Sequence, residues 1–195
     1  MASTDDKVPL EKGKERNMKA LIVVDMQKDF IDGSLGSAEA RAIVPKVVEK
    51  IHNWDGFVFA TKDEHEEDYL ETTEGKHLPV KHCIYGTEGW TFDVKVRDAL
   101  LNVEDDKSEV VNKKTFGSLE LANKCKKYDR IEIVGLCTDI CVISNALLIK
   151  ATCPEVEITV DASCCAGSTP ERHKAALEVM KSCQINIVGE DMNMT

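Results

Sequence analysis

The sequence predicts an α/β fold, a single domain doubly wound about a mostly parallel six-stranded sheet with helices on both faces. Three observations lead there. Apolar runs rich in Val and Ile alternate with amphipathic stretches from residue 18 to residue 188. The runs are continuous rather than alternating in polarity, as expected of parallel strands covered on both faces. The length, 195 residues, fits one compact domain able to bury a layered core.

The first strand is expected at residues 19–24, where Ala20 to Val24 form an unbroken apolar stretch. A helix follows at 40–53, with Ile43, Val47, Val48 and Ile51 at the spacing of one helical face. The second strand, FVFAT, covers 57–61, and residues 62–90 then form a long irregular loop. Loops of that length more often serve function than filler. A helix at 91–101 leads to the third strand at 108–111, and a helix at 119–126 to the fourth at 130–135. The pattern continues with a helix at 138–150, a strand at 155–160, a helix at 170–181 and a last strand at 186–188. Ser168-Thr169-Pro170-Glu171 marks the start of the final helix, with Pro170 in its first turn. There is no internal repeat and no linker to a second domain. Residues 1–17 are polar and aperiodic and read as a flexible tail, leaving 18–195 as the domain.

The net charge of −10 repels nucleic acid and anionic membrane surfaces, and no basic stripe overrides it. No apolar run approaches the roughly 18 residues of a membrane span. The first residues lack the apolar core of a secretory signal, so the cytoplasm is the expected location. Eight cysteines are present, several inside apolar patterns. Without an export signal they are expected to be reduced thiols packed as small hydrophobes.

In open parallel sheets, ligands sit at the carboxyl ends of the strands, beside a switch in strand order. Just past successive strands stand Asp25 in VVDMQKDF, Asp63 and His65 in ATKDEH, Lys113 in VVNKKTFGS and Cys141 in VGLCTDICV. Singly, each has a bland explanation as a cap, a solvated charge or a packed thiol. Together at one sheet edge they describe a site.

VVDMQKDF, NKKTFGS and GLCTDICV, in that order, resemble the three signatures of the isochorismatase-like cysteine hydrolases, over residues 18–188. With DEH and PVKHCIYGTEGW between them, the set is similar to the nicotinamidase branch. The resemblance implies a catalytic triad of Asp25, Lys113 and Cys141. A helix start and a nearby ammonium would favour a Cys141 thiolate. Asp25 would take the thiol proton and deliver it to departing ammonia, and Lys113 would lower the pKa of both neighbours. The resemblance also implies a cis peptide at Leu136–Cys137, with the amides of Cys137 and Cys141 as oxyanion donors. Cys137 departs from the family pattern, where alanine is usual, and sets a second thiol beside the nucleophile.

Asp63 and His65, two apart, point to one side of an extended segment, and Glu74 and His82 follow in the same loop. Acid and imidazole ligands suit one divalent ion, Zn²⁺ first, with Mn²⁺ or Fe²⁺ as alternatives. The resemblance assigns Asp63, His65 and His82 to the metal. Glu74 is the choice for the fourth ligand, with Glu71 and His77 behind it. The activity implied is hydrolysis of nicotinamide to nicotinate and ammonia through a thioester, within NAD salvage. The metal would hold the pyridine nitrogen. Phe30 would stack on the ring, and Leu78 would stand where many relatives have an aromatic second wall. The expected partner is a small amide substrate, and a homo-oligomer is compatible with the sequence. Two alternatives remain: another amidase or carbamoyl hydrolase with the same triad, and a non-catalytic module whose thiols sense oxidants or bind metal. The second would have no need of Asp25 and Lys113.

Overall fold

A computed structural model describes residues 18–190. The 1–17 tail expected from the sequence lies outside them. Among the described residues the chain runs β1 (Lys19–Val24), α1 (Lys28–Ile31), α2 (Ala38–His52), β2 (Phe57–Asp63), α3 (Thr73–His77), α4 (Val94–Leu101) and β3 (Ser108–Lys113). It continues with α5 (Leu119–Lys124), β4 (Arg130–Leu136), α6 (Ile143–Thr152), β5 (Glu157–Ala166), α7 (Pro170–Ser182) and β6 (Asn186–Val188). The six strands lie in the order β3-β2-β1-β4-β5-β6, and every pairing between them is parallel.

β1 shows why its sequence is apolar throughout. Ala20, Ile22 and Val24 face a core completed by Leu121, Ala146, Ile149 and Met180 of α5, α6 and α7. Leu21 and Val23 face the opposite core, built with Ile43 and Val47 of α2 and Val96 of α4. With water excluded from both faces, a polar residue on either side would lose its hydration. Each fully buried aliphatic side chain contributes about 1.5–3 kcal/mol relative to exposure.

The chain winds outward from β1 to β2 and β3, then returns to place β4 on the other side of β1. That reversal opens a crevice at the carboxyl ends of β1 and β4. Two strands run beyond the expected ends, β2 to Asp63 and β3 to Lys113, because these residues are Cα partners in the ladder. β5 runs on to Ala166 rather than ending at 160, since Cys164, Cys165 and Ala166 are all buried. The 62–90 segment is less irregular than expected. It contains a turn of 3-10 helix at Tyr69–Glu71 and the short α3, whose cap is the Thr72 hydroxyl accepting from Gly75 N–H at 3.0 Å.

Candidate active site

Four neighbouring strands bring functional groups to one edge. Asp25, the residue after β1, adopts φ of 47°, an unusual conformation for a non-glycine residue. Its N–H lies 3.2 Å from both oxygens of Thr61, and the Thr61 hydroxyl donates to Asp25 Oδ1 at 2.6 Å. The carboxylate is thereby fixed with no solvent contact.

Lys113, at the end of β3, is the hub. Its Nζ lies 2.7 Å from Asp25 Oδ2, 3.2 Å from Asp63 Oδ1 and 3.4 Å from Cys141 Sγ. The side chain is only 1% exposed, so these neighbours replace its hydration. The Asp25 contact is the shortest of the three, a buried ion pair.

Cys141 does not open a regular helix, as the sequence suggested. It lies in a wide π turn, Thr138–Val142, that leads into α6. Such turns recur at functional sites because they re-aim a side chain. The Leu136–Cys137 peptide is cis, and Cys137 O accepts the N–H groups of Ile140 at 3.0 Å and Val142 at 3.1 Å. The turn is also tied to the start of α7: Ser168 N–H donates to Asp139 Oδ1 at 2.7 Å, and Thr138 Oγ1 lies 2.8 Å from His173 Nδ1.

Burial pushes the Cys141 thiol well up, and the Asp25 charge pushes it further, against the pull of Lys113. Burial likewise raises Asp25, with Lys113 opposing. Burial disfavours the Lys113 ammonium, but Asp25, Cys141 and Asp63 together hold it well above its ordinary value. Burial thus opposes the thiolate that the nearby ammonium favours, and the thiol needs Asp25 to take its proton, as expected. Lys113 draws both neighbours down, as expected, but desolvation outweighs it.

Beside this group, Asp63, His65, Glu74 and His82 bring their ligand atoms within 4.8 Å of one another. His65 Nε2 lies 2.9 Å from Asp63 Oδ2 and 3.6 Å from Glu74 Oε1, and His82 Nε2 lies 3.6 and 3.7 Å from the same two oxygens. Tetrahedral ligands at about 2.0–2.2 Å from an ion stand about 3.3–3.6 Å apart, close to this spacing. His65 Nε2 is buried with no hydrogen-bond partner, an orphan that a cation would satisfy. His82 Nδ1 is committed to Val80 O at 2.8 Å, which turns Nε2 toward the cluster. The residues present thus fit a divalent metal. Asp63 gives Oδ1 to Lys113 and Oδ2 to the cluster, which joins the two groups. Glu71 is exposed, and His77 Nδ1 pairs with Thr73 O at 2.8 Å; neither belongs to the cluster.

Both groups open into a cavity of 720 Å³ whose walls include Phe30, Leu78, Phe116, Ile140, Cys137 and Cys141. Phe30 is buried, with its ring 5.5 Å from that of His82, while Leu78 lies at the outer wall. The ten residues expected at the site are thus brought to one place. Several others escaped the sequence reading. Thr61 holds Asp25. Gln27 is fully buried and grips the Asp63 backbone, accepting from its N–H at 2.7 Å and donating to its carbonyl at 2.9 Å. Tyr69 packs its ring 4.6 Å from His65 and 4.9 Å from His82. A buried Gln within VVDMQKDF was the one available hint.

A parallel sheet carrying an Asp–Lys–Cys group beside a metal cluster defines the class of protein, and the isochorismatase domain model matches residues 19–191. The chain belongs to the isochorismatase family. It is 32% identical to PncA of Bacillus subtilis, an uncharacterised isochorismatase family protein, over 82% of this chain and 92% of that one. The nicotinamidase/pyrazinamidase of Mycobacterium tuberculosis is 28% identical over 88% of this chain and 98% of its own. Among solved structures, the pyrazinamidase of Pyrococcus horikoshii in complex with zinc superposes with a TM-score of 0.74 at 30% identity, covering 88% of this chain and 99% of that one.

Proposed function

We propose that this chain is a metal-dependent cysteine amidohydrolase that converts nicotinamide to nicotinate and ammonia, a step of NAD salvage. The observation that carries the reading is the single Lys113 ammonium within 3.4 Å of Asp25, Asp63 and Cys141, which binds a nucleophile and its base to a metal cluster. A thiol-sensing module would have no use for a buried Asp–Lys pair. The names of the relatives support the amide substrate.

Cys141 starts as a thiol. Its proton passes to Asp25 Oδ2 as Sγ attacks the carboxamide carbon, and the amide N–H groups of Cys137 and Cys141 receive the oxyanion. Each such donor lowers the barrier by about 3–4 kcal/mol. Asp25 then protonates the leaving nitrogen, the C–N bond breaks, and ammonia departs from a thioester on Cys141. Asp25 next takes a proton from water, whose oxygen attacks the same carbon. The C–S bond breaks, the proton returns to sulfur, and nicotinate is released. Lys113 keeps its proton throughout and holds the charge of Asp25 beside the sulfur. Asp63, His65, Glu74 and His82 would hold a divalent ion, which would supply a Lewis acid for a ring nitrogen; zinc is our choice, given two imidazoles and two carboxylates at this spacing. Phe30 and Leu78 bound the ring.

The test is ammonia release by purified protein from nicotinamide, pyrazinamide and benzamide. The first two should turn over, and benzamide, without a ring nitrogen, should react far more slowly. Equal rates on nicotinamide and benzamide would contradict the anchored ring. Release only from an aliphatic amide or a carbamoyl compound would favour a different hydrolase of the family.

A further inference from the structure

The oxyanion amides of the proposed reaction belong to a turn whose own anchors take no part in the chemistry. Thr138 follows Cys137 directly and opens the π turn that carries Cys141. Its side chain is fully buried, and the hydroxyl's one hydrogen-bond partner among the described residues is His173 Nδ1, 2.8 Å away. His173 ends the first turn of α7, its N–H donated to Thr169 O at 2.9 Å. Gly167, just past β5, leaves it room: a Cβ there would fall 2.8 Å from His173 Cβ. Burial pushes the imidazole below its ordinary pKa, against the Asp139 and Glu190 carboxylates that lift it and with Lys174 that lowers it, so the ring is neutral near pH 7. A neutral ring can accept at Nδ1, where the Thr138 hydroxyl donates. The reverse arrangement would leave a buried O–H with no acceptor.

We infer that His173 is a positioning residue: through the Thr138 hydroxyl it sets the tilt of the Thr138–Val142 turn, and so aims the Cys137 and Cys141 amides at the oxyanion. The inference rests on the oxyanion role of those amides in the proposed reaction. Such donors are effective only when aimed in advance at the place where charge develops. Inside the turn, Ile140 and Val142 donate to Cys137 O and hold the turn's shape. Its orientation over the cavity depends on what grips it from outside. Two grips come from the start of α7. Water competes for the exposed one, between Asp139 and Ser168. Water does not reach the Thr138 end of the other, which adjoins Cys137 and is the stronger for its low-dielectric setting.

The experiment compares the binding of two probes to the purified full-length protein, pyridine-3-carbaldehyde and 3-methylpyridine. Cys141 Sγ adds to the aldehyde carbon, the carbonyl electron pair moves to oxygen and Asp25 keeps the thiol proton. An oxyanion then faces the two amides, and nothing is expelled. 3-Methylpyridine offers the ring alone. His173→Leu removes the acceptor, whereas His173→Asn keeps one at the place of Nδ1. His173→Leu should lose about tenfold or more in affinity for the aldehyde and none for 3-methylpyridine. In nicotinamide turnover its kcat should fall by a similar factor with KM unchanged. His173→Asn should regain most of both losses. A purely structural role predicts the opposite ranking, because leucine is the better helix former and buries more apolar surface. Thr138→Val should match His173→Leu, and the double variant should lose no more than either. Undiminished aldehyde affinity in His173→Leu, an Asn variant no better than the Leu variant, or equal weakening of both probes would overturn the proposal. Should His173→Leu fail to fold, Thr138→Val carries the same comparison. A wild-type protein that binds the ring but forms no aldehyde adduct would instead remove the oxyanion role itself, and this inference with it.

Discussion

At the scale of residues, the chemistry depends on how three buried ionisable groups share charge. Lys113 stays protonated because the Asp25 and Asp63 carboxylates flank it, and burial holds Asp25 above the ordinary carboxylate range. A base must be ionised to accept a proton, so activity is present above the Asp25 pKa and is lost as pH falls through it. The acid limb of kcat/KM should therefore lie above about 4, the unperturbed value. The Thr61 hydroxyl, 2.6 Å from Asp25 Oδ1, favours the carboxylate. Thr61→Val should move the acid limb to higher pH, read from a pH–rate profile; a limb that stays put or moves down would mean that Asp25 is not the base. Asp25, Lys113 and Cys141 were legible because each stands at or just past a strand end in a recognisable string. Thr61 and Gln27 were not. Their partners lie 36 residues away, and a buried polar side chain carries no periodic signal.

At the scale of elements, the strand ends set the site. The sequence placed all six strands but stopped β2 and β3 short of Asp63 and Lys113, since polar residues interrupt an apolar run. Pairing in the ladder carries the strands on and sets the two side chains next to each other. The π turn at Thr138–Val142 was not legible either, because its residues have ordinary helix composition. α3 brings Glu74 to the metal cluster from within a stretch that reads as loop, too short to show a helical period. One element junction yields a sharp test. β4 meets β1 in register at Gly135, opposite Val24; its φ is 117°, and a Cβ there would fall 2.2 Å from Val24 O, one residue before Asp25. Gly135→Ala should destabilise the fold by more than about 2 kcal/mol in denaturant titration. A near-neutral change would mean that this close approach is not needed.

At the scale of the molecule, the end of β2 supplies Asp63 while the segment beyond it supplies His65, Glu74 and His82, so a bound ion would close that segment onto the sheet edge. One divalent metal per chain is expected in elemental analysis of gently purified protein, and His65→Ala should lose it. An ion at one hundred times its dissociation constant stabilises a fold by about 2.7 kcal/mol, so chelation should lower the melting temperature of wild type and leave His65→Ala unchanged. An equal response from both would place the metal elsewhere. The central claim, covalent catalysis through Cys141, is tested most directly by adding hydroxylamine during nicotinamide turnover. A thioester would be intercepted, giving nicotinohydroxamate alongside nicotinate in proportion to the hydroxylamine added, while Cys141→Ala should fall at least ~10³-fold in rate and yield neither product. Full-rate release of ammonia and nicotinate with no hydroxamate at any hydroxylamine concentration, or a Cys141→Ala protein that retains turnover, would contradict the account.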